Sequence, residues 1–279
     1  MIFRNTLLKL MQSIKYNWSK SMAVKRSKKI DFSKTEFKPL VISNYSSEEQ
    51  LKNKNIIGSD ETGVGDYLTP LVAAAVYVPH ENIEQLIELG VKDSKSLSDQ
   101  KILDLFPKIK DLIKFRVNHL TQKGYNNLAK YMNAHELKMF LHLKSITTLE
   151  KFDKVNEDLI LIDEFASIDN INKYYENLMK SRLKTDEIQK EILLAPKAES
   201  IHVAVAAASI VARYRFLELM KEQEEAIGMK FLLGTNEAVE KQAIEFCEKF
   251  GRKALYEVAK ISFKTTEKVY EALDKKGIK

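Results

Sequence analysis

The sequence predicts an α/β domain with a mixed central sheet of five strands, flanked by helices and followed by extra helices at the C-terminal end. Short apolar runs of strand length alternate with longer segments whose apolar residues recur at helical spacing. The first two runs are separated only by a glycine-bearing turn, whereas the later runs are separated by helices. This order is typical of a sheet that begins with neighbouring strands and continues with crossover connections.

The predicted elements follow one another from residue 55 onward. The strand predictions cover residues 55–61, 68–78, 112–120, 159–162 and 191–195. The helix predictions cover residues 81–89, 98–110, 125–151, 171–182, 201–227, 236–250 and 252–259. Ser98 is a residue type favoured at helix N-caps. The alanine-rich first half of 201–227 favours a helix that packs closely on the sheet.

Composition narrows the class of protein. The chain has 279 residues, of which 44% are hydrophobic, and this is enough for one large domain. A single cysteine, Cys247, excludes an internal disulfide and fits a reducing compartment, so we expect a cytoplasmic protein. No apolar run approaches the roughly 18 residues of a membrane span, so we expect no membrane partner. We also expect a monomer.

The basic charge is concentrated at the N-terminal end. Residues 1–50 hold ten Lys and Arg against four Asp and Glu, which leaves 35 basic and 35 acidic residues in the remaining 229. Residues 1–30 contain no acid; apolar residues recur at helical spacing from Phe3 to Trp18, and a basic run follows at residues 25–29. We therefore divide the chain into a basic N-terminal helix and linker, 1–54, and an α/β domain, 55–279. The helix has three open interpretations: it covers the core, binds nucleic acid, or targets the chain to an organelle.

Acidic residues recur where the predicted strands end. Asp60 and Glu61 follow the first strand, Asp163 follows the fourth, and Glu199 opens the alanine-rich helix. Strand ends on one side of an α/β sheet share a crevice, so these carboxylates are candidates for a pair of divalent ions. Two such ions would support phosphodiester hydrolysis. The alternatives are a polar turn at Asp60, an ordinary loop residue at Asp163 and a helix-dipole contact at Glu199.

Other polar groups are less specific. Gly63 and Gly65 would let backbone N–H groups approach a phosphate or a hydroxyl. The Lys92–Ser96 loop combines serine hydroxyls with lysines, which suits contacts to a phosphate backbone as well as a solvated loop. His202 is a candidate for proton transfer or a structural residue. His135 and His142 belong to no motif, and we interpret them as structural.

Five motifs together resemble the ribonuclease HIII family, a type 2 ribonuclease H. In chain order they are GSDETGVGDYLTP, GVKDSKSLSDQKI, LILIDEFA, KAESIHVAVAAASIVARY and VAKISFKTTEK. The resemblance covers roughly residues 55–270. It implies a ribonuclease-H-like fold and Mg²⁺- or Mn²⁺-dependent endonucleolytic cleavage of the RNA strand of RNA/DNA hybrids. The products would carry 5′-phosphate and 3′-hydroxyl ends.

The resemblance also implies roles for particular residues. The catalytic, metal-binding acids would be Asp60, Glu61, Asp163 and Glu199, holding two divalent ions. The backbone of Gly63, Val64 and Gly65 would contact the ribose 2′-hydroxyl, which distinguishes RNA from DNA. The loop formed by Asp93, Ser94 and Lys95 would hold the phosphate backbone of the hybrid.

Two features depart from the family pattern. Family members commonly carry an N-terminal domain folded like the TATA-binding protein, whereas residues 1–54 here predict a helix and a linker. A proline- and lysine-rich loop is expected after the alanine-rich helix, but residues 231–236 read FLLGTN. Two alternatives to the implied activity stay open: cleavage at single embedded ribonucleotides, as in ribonuclease HII, and hybrid binding without catalysis.

Deleting residues 1–50 tests the N-terminal segment. The deletion removes a net charge of +6, so it should weaken hybrid binding and flatten its salt dependence. The measurement is the slope of log Kd against log salt concentration. An unchanged slope would mean that the segment only packs or targets.

Overall fold

A computed structural model describes residues 36–92 and 96–278 of the chain. The predicted N-terminal helix and the basic run at 25–29 lie outside the described residues, and so do Asp93, Ser94 and Lys95. The predictions for these segments stay predictions. The described residues form an α/β fold with helices on both faces of a mixed sheet, which confirms the predicted class.

The sheet has six strands in the order β1-β6-β5-β2-β3-β4. Strands β1, β6, β5 and β2 are mutually parallel, whereas β2, β3 and β4 form an antiparallel meander. The strands are β1 (Ile42–Asn44), β2 (Ile56–Thr62), β3 (Leu71–Tyr77), β4 (Lys114–Leu120), β5 (Leu159–Asp163) and β6 (Glu191–Ala195). The five predicted strands are all present, and β1 is added at one edge.

The helices are α1 (Ile83–Glu88), α2 (Asp99–Ile109), α3 (Gln122–Leu128), α4 (Ala134–Asp153), α5 (Ile168–Met179), α6 (Val203–Ile227), α7 (Glu237–Phe250), α8 (Leu255–Val258) and α9 (Thr265–Lys275). The predicted N-cap of α2 is confirmed, since the Ser98 side chain accepts a hydrogen bond from the Lys101 amide. No helix in the described part of the chain is long and apolar enough to cross a membrane.

Strand β1 lies in the segment that the sequence assigns to a linker. It pairs in parallel with β6, with Ile42 opposite Ile192. Apolar periodicity does not reveal such a short edge strand, because only three residues pair. A truncation at residue 50 would therefore also remove a strand. Deletion of residues 1–35 retains β1 and still removes nine of the 45 basic residues.

The predicted long helix at 125–151 is two helices, α3 and α4. Asn133 interrupts it, because its side chain accepts from the Glu136 amide while the Glu136 carboxylate accepts from the Asn133 amide. This reciprocal capping box starts a new helix. Helix α9 was not predicted, and it packs against α7 in the C-terminal part of the fold.

Strand β3 shows how the core divides between the two faces of the sheet. Its alternate residues Leu71, Ala73 and Ala75 pack with α4 and α5, and the intervening Val72, Ala74 and Val76 pack with α2 and α6. All six are at most 1% exposed. A strand buried on both faces reads as a continuous apolar run rather than an alternating one. The run LVAAAV therefore marks the centre of the sheet.

Helix α6 crosses β2 at Gly58 with backbone in contact with backbone. A Cβ atom on Gly58 would lie 2.3 Å from both the Ala204 carbonyl carbon and the Val205 nitrogen. Neither of these atoms can move without displacing the start of the helix. Glycine at this position therefore sets the distance between the sheet and the segment that leads into α6.

The substitution Gly58→Ala should destabilise the protein by at least about 2 kcal/mol, because helix backbone must shift to accommodate the methyl group. The control is Gly65→Ala, since a Cβ there meets no atom within 4 Å. That change should stay within about 0.5 kcal/mol of wild type. Urea unfolding measures both, and equal effects would contradict the close approach at Gly58.

Candidate active site at the carboxyl ends of β2, β5 and β6

Asp60 and Asp163 lie at the same end of two neighbouring parallel strands. Ser59 of β2 pairs with Ile162 of β5 at the end of the β2–β5 ladder, and each aspartate is the next residue of its strand. Asp60 is only 5% exposed. Because side chains alternate along a strand, Asp60 lies on the same face as Gly58, where α6 packs. By the same alternation Asp163 shares the face of Leu161, which packs near Val205 of α6.

Glu199 reaches this place from the third strand. After β6 the chain turns through Lys197, which has a left-handed φ of 55°, and enters a short 3₁₀ helix, Ala198–Ser200. The Ala198 amide donates a 3.1 Å hydrogen bond to Asp163 Oδ1. Glu199 is next in the chain and 7% exposed. The structure therefore places three of the four predicted acids at the carboxyl ends of three adjacent strands.

Glu61 lies on the opposite face of β2, toward α4. Its Oε1 is 2.7 Å from Lys138 Nζ, and its Oε2 is 2.9 Å from His142 Nε2. The side chains of Glu61, Lys138 and His142 are 13%, 12% and 0% exposed. Phe165 covers the group, with its ring 4.6 Å from Lys138 Nζ and stacked on His142. Sequence analysis missed this carboxylate–cation cluster.

Both ring nitrogens of His142 have hydrogen-bond partners. Ser59 Oγ donates to the Ala74 carbonyl and lies 2.8 Å from His142 Nδ1. The carboxylate of Glu61 is bonded to Nε2. Burial opposes ionisation of Glu61, but the hydrogen bond from His142 and the charges of His142 and Lys138 outweigh it and lower the pKa of Glu61 to about 2.

The donor set suits a hard divalent cation. Asp60, Asp163 and Glu199 supply carboxylate oxygens from adjacent elements, and such oxygens are the ligands that Mg²⁺ and Mn²⁺ prefer. Glu61 in this structure is bound to Lys138 and His142 instead. Within residues 36–92 and 96–278, no three His, Cys, Asp or Glu side chains are grouped closely enough to hold a metal ion. The chemistry of the donor set fits a divalent cation.

The glycine turn after β2 lies beside the acids. Gly63 has a φ of +82°, and a Cβ there would lie 2.1 Å from the Pro70 carbonyl oxygen, so only glycine fits. Gly65 forms the exposed tip of the turn. Asp66 Oδ1 accepts from the Gly234 amide at 2.6 Å, so the loop at residues 231–236 contacts the turn directly.

Comparison with known proteins gives the family. A profile of ribonuclease HII matches residues 57–266. A ribonuclease HIII of Bacillus mycoides strain KBAB4 is 38% identical over 234 residues, which covers 83% of this chain and 73% of that protein. The chain belongs to the ribonuclease HIII family. Ribonuclease HIII enzymes are hydrolytic endoribonucleases, and this confirms the predicted enzyme class.

Solved structures support the same assignment. The crystal structure of Bst-RNase HIII in complex with Mn²⁺ has a TM-score of 0.75 and 32% identity, and the match covers 94% of this chain and 81% of that one. Its Mn²⁺ supports divalent metal use in the ribonuclease HIII family. The ribonuclease H2 from Pyrococcus horikoshii OT3 matches with a TM-score of 0.64 and 21% identity over 79% of this chain and 99% of that one, and it shares the fold.

The remaining predicted residues have different outcomes. Asp93, Ser94 and Lys95 lie outside the described residues, so their role in this ribonuclease HIII stays a prediction. His202 caps α6, since its Nδ1 accepts from the Ala204 amide at 3.2 Å. Burial and then the charge of His80 lower the pKa of His202 to about 4, so its ring is neutral near pH 7 and acts as a helix cap.

Sequence analysis interpreted His142 as structural and did not predict its contact with Glu61, a predicted site acid. A signal exists in the sequence, because Lys138 and His142 are four residues apart and share one face of α4. That spacing indicates two cations on one helix face. It does not reveal which strand the face meets, and therefore cannot identify Glu61 as the partner.

A double-mutant cycle on Glu61→Gln and Lys138→Met tests the buried pair in metal-free protein. The coupling energy should be about 1–3 kcal/mol, because each single change leaves the other charge in a largely buried site. Lys151 and Asp186 provide the control, with side chains 60% and 65% exposed. Their cycle should give less than about 0.5 kcal/mol. Urea unfolding measures both, and equal coupling would contradict the burial argument.

Proposed function

We propose that this ribonuclease HIII hydrolyses the RNA strand of RNA/DNA hybrids endonucleolytically, leaving 5′-phosphate and 3′-hydroxyl ends. The observation that carries the proposal is the placement of Asp60, Asp163 and Glu199 at the carboxyl ends of three adjacent strands. The family assignment supplies the substrate class, since ribonuclease H enzymes act on the RNA of hybrids.

Asp60, Asp163, Glu199 and Glu61 are the proposed catalytic residues, and they would hold two Mg²⁺ or Mn²⁺ ions. Bound ions of this kind activate a water nucleophile and stabilise the leaving oxygen. Asp60 and Asp163 are already on one face of the sheet, and the bond from Ala198 orients Asp163. Glu61 would join them after its carboxylate leaves Lys138 and His142. These two cations would then stay close to the bound polyanion.

Two loops are proposed to bind substrate. The turn at Gly63, Val64 and Gly65 would meet the ribose 2′-hydroxyl, because its exposed tip carries no side chain at Gly65. The loop at residues 93–95 would contact phosphates through Ser94 and Lys95. We further propose that the enzyme acts as a monomer in the cytoplasm; its single cysteine fits a reducing compartment.

A second candidate activity is cleavage at single ribonucleotides embedded in DNA. The match of residues 57–266 to a ribonuclease HII profile favours testing it. Cleavage mapping on a hybrid, on a DNA duplex with one ribonucleotide and on double-stranded RNA separates the two activities. Hybrid cleavage at many positions with little cleavage at the single ribonucleotide supports the main proposal. Binding without any cleavage in Mg²⁺ or Mn²⁺ would leave only a binding function.

The substitution Asp60→Asn should lower the rate of hybrid cleavage by more than about a hundredfold. It removes a proposed ligand charge, and changes to residues that merely support metal ligands already cost 10–100-fold. The matched control is Asp158→Asn at the opposite end of the same two strands, where the Asp158 carboxylate accepts from the Asn55 amide at 2.8 Å. The control should retain cleavage. A fully active Asp60→Asn enzyme would rule out the proposed mechanism.

A further inference from the structure

Lys260 is fully buried in the C-terminal part of the fold, at 0% exposure. It follows α8 and lies beside a cluster of buried apolar residues from α7, α8, α9 and the segment after the glycine turn. We call this cluster the C-terminal layer: Tyr67, Leu68, Phe231, Val239, Phe246, Leu255, Val258, Val269 and Leu273. A lysine in such surroundings is costly unless its donors are satisfied. Its partners therefore indicate what it does.

The ammonium group of Lys260 binds the glycine turn. Nζ donates to the carbonyl oxygens of Gly63 and Asp66, the latter at 2.8 Å, and lies 3.5 Å from Thr69 Oγ1. The Lys260 backbone amide also donates to the Tyr67 carbonyl at 2.9 Å. One buried side chain thus joins both ends of the turn. These partners are distant in sequence, 194 positions for Asp66 and 197 for Gly63.

This contact determines which way the turn presents its peptide groups. The C=O and the following N–H of a trans peptide point in opposite directions. Because the Gly63 carbonyl points inward to Lys260, the Val64 amide N–H points away from the lysine, toward the outer side of the turn. The Asp66 carbonyl also points inward, and the Tyr67 amide that follows it donates to the Gly234 carbonyl at 3.0 Å. The Val64 amide thus points away from Lys260, and the next residue, Gly65, is exposed.

Aromatic rings surround the ammonium group of Lys260. The Lys260 Nζ lies 5.7 Å from the ring centroids of both Tyr125 and Phe263, which enclose it. Burial lowers the pKa of Lys260 to about 7. Either protonation state has N–H groups to donate, so the hydrogen bonds to the turn persist on both sides of this pKa.

We propose that Lys260 is a positioning residue for RNA recognition: by holding the Gly63 and Asp66 carbonyls inward, it presents the Val64 backbone amide to the ribose 2′-hydroxyl and so sets the preference for hybrid over duplex DNA. The inference rests on the proposed function, and it extends the functional site from the sheet to the C-terminal layer. Lys260 does not touch substrate; it acts through the turn.

The test compares Lys260→Met, Lys260→Gln and Thr266→Val in the full chain. Met retains the length and loses the donors, and Gln retains an N–H₂ donor. Thr266→Val is the control, because it removes the 2.9 Å hydrogen bond to the Tyr67 hydroxyl in the same layer and leaves every hydrogen bond of Lys260 in place. Binding to an RNA/DNA hybrid and to a DNA duplex of identical sequence is measured in EDTA. Amide NMR shifts of Val64 and Gly65 and the melting temperature are recorded for each variant.

Lys260→Met should lower the hybrid-over-DNA ratio of affinities by about tenfold or more, because a site that loses a hydrogen bond to a hydroxyl loses discrimination for it. The Val64 and Gly65 amide signals should shift in Lys260→Met and stay in place in Thr266→Val. Lys260→Gln should restore part of the ratio. If Lys260→Met fails to fold, Lys260→Gln is compared with Thr266→Val instead. A ratio that is reduced in Lys260→Gln and unchanged in Thr266→Val then supports the proposal.

Two results overturn the inference. One is a ratio unchanged within about twofold in a folded Lys260→Met protein or, if that variant fails to fold, in Lys260→Gln, a change smaller than the loss of one hydrogen bond would give. The other is a Thr266→Val protein that loses as much of the affinity ratio, and as much melting temperature, as the Lys260 variant. The effect on the ratio would then come from lost stability alone. Failure of the proposed function is separate: wild-type protein that prefers hybrid but cleaves no strand overturns the proposed activity and leaves the role of Lys260 standing.

Discussion

The backbone contact between Gly58 and the start of α6 is the constraint on which the site depends. The helix rests directly on β2, without a side chain between them. The segment that leads into the helix must therefore cross the carboxyl ends of the strands at close range. This crossing brings Ala198 within hydrogen-bond distance of Asp163, and Glu199 is the next residue in the chain. A wider separation would leave the third strand's acid apart from the other two.

The four acids face two different electrostatic environments. Asp60 and Asp163 lie on the α6 face of the sheet, and Glu199 lies in the segment that leads into α6; divalent ions are their proposed partners. Glu61, although adjacent to Asp60 in sequence, points to the α4 face and meets Lys138 and His142. Strand geometry explains the division, since successive side chains project from opposite faces. Metal binding by all four acids would thus compete with a buried ion pair, and the balance between these interactions would set the affinity for the ion held by Glu61.

The C-terminal layer is linked to the site through the glycine turn. Asp66 is bound by Gly234, and the carbonyls on both sides of the turn's tip are bound by Lys260. The loop at residues 231–236 lacks the expected proline and lysine residues, yet it contacts the turn through its backbone. Helices that sequence analysis treated as additions to the fold therefore shape the part of the site that would read the sugar.

Local sequence patterns predicted the α/β class, the five principal strands and the acids that end them. These patterns are the apolar runs, the helical periodicity and the position of carboxylates after strands. The family resemblance rests on the same segments, and the comparisons confirm it. The short strand β1 and the break at Asn133 were missed, because three-residue pairing and a capping box leave little trace in periodicity. Only the tertiary structure decided that Glu61 faces α4, that Lys138 and His142 neutralise it, and that Lys260 holds the turn. These contacts join residues from 77 to 197 positions apart, and a sequence pattern carries no information about which distant faces will meet.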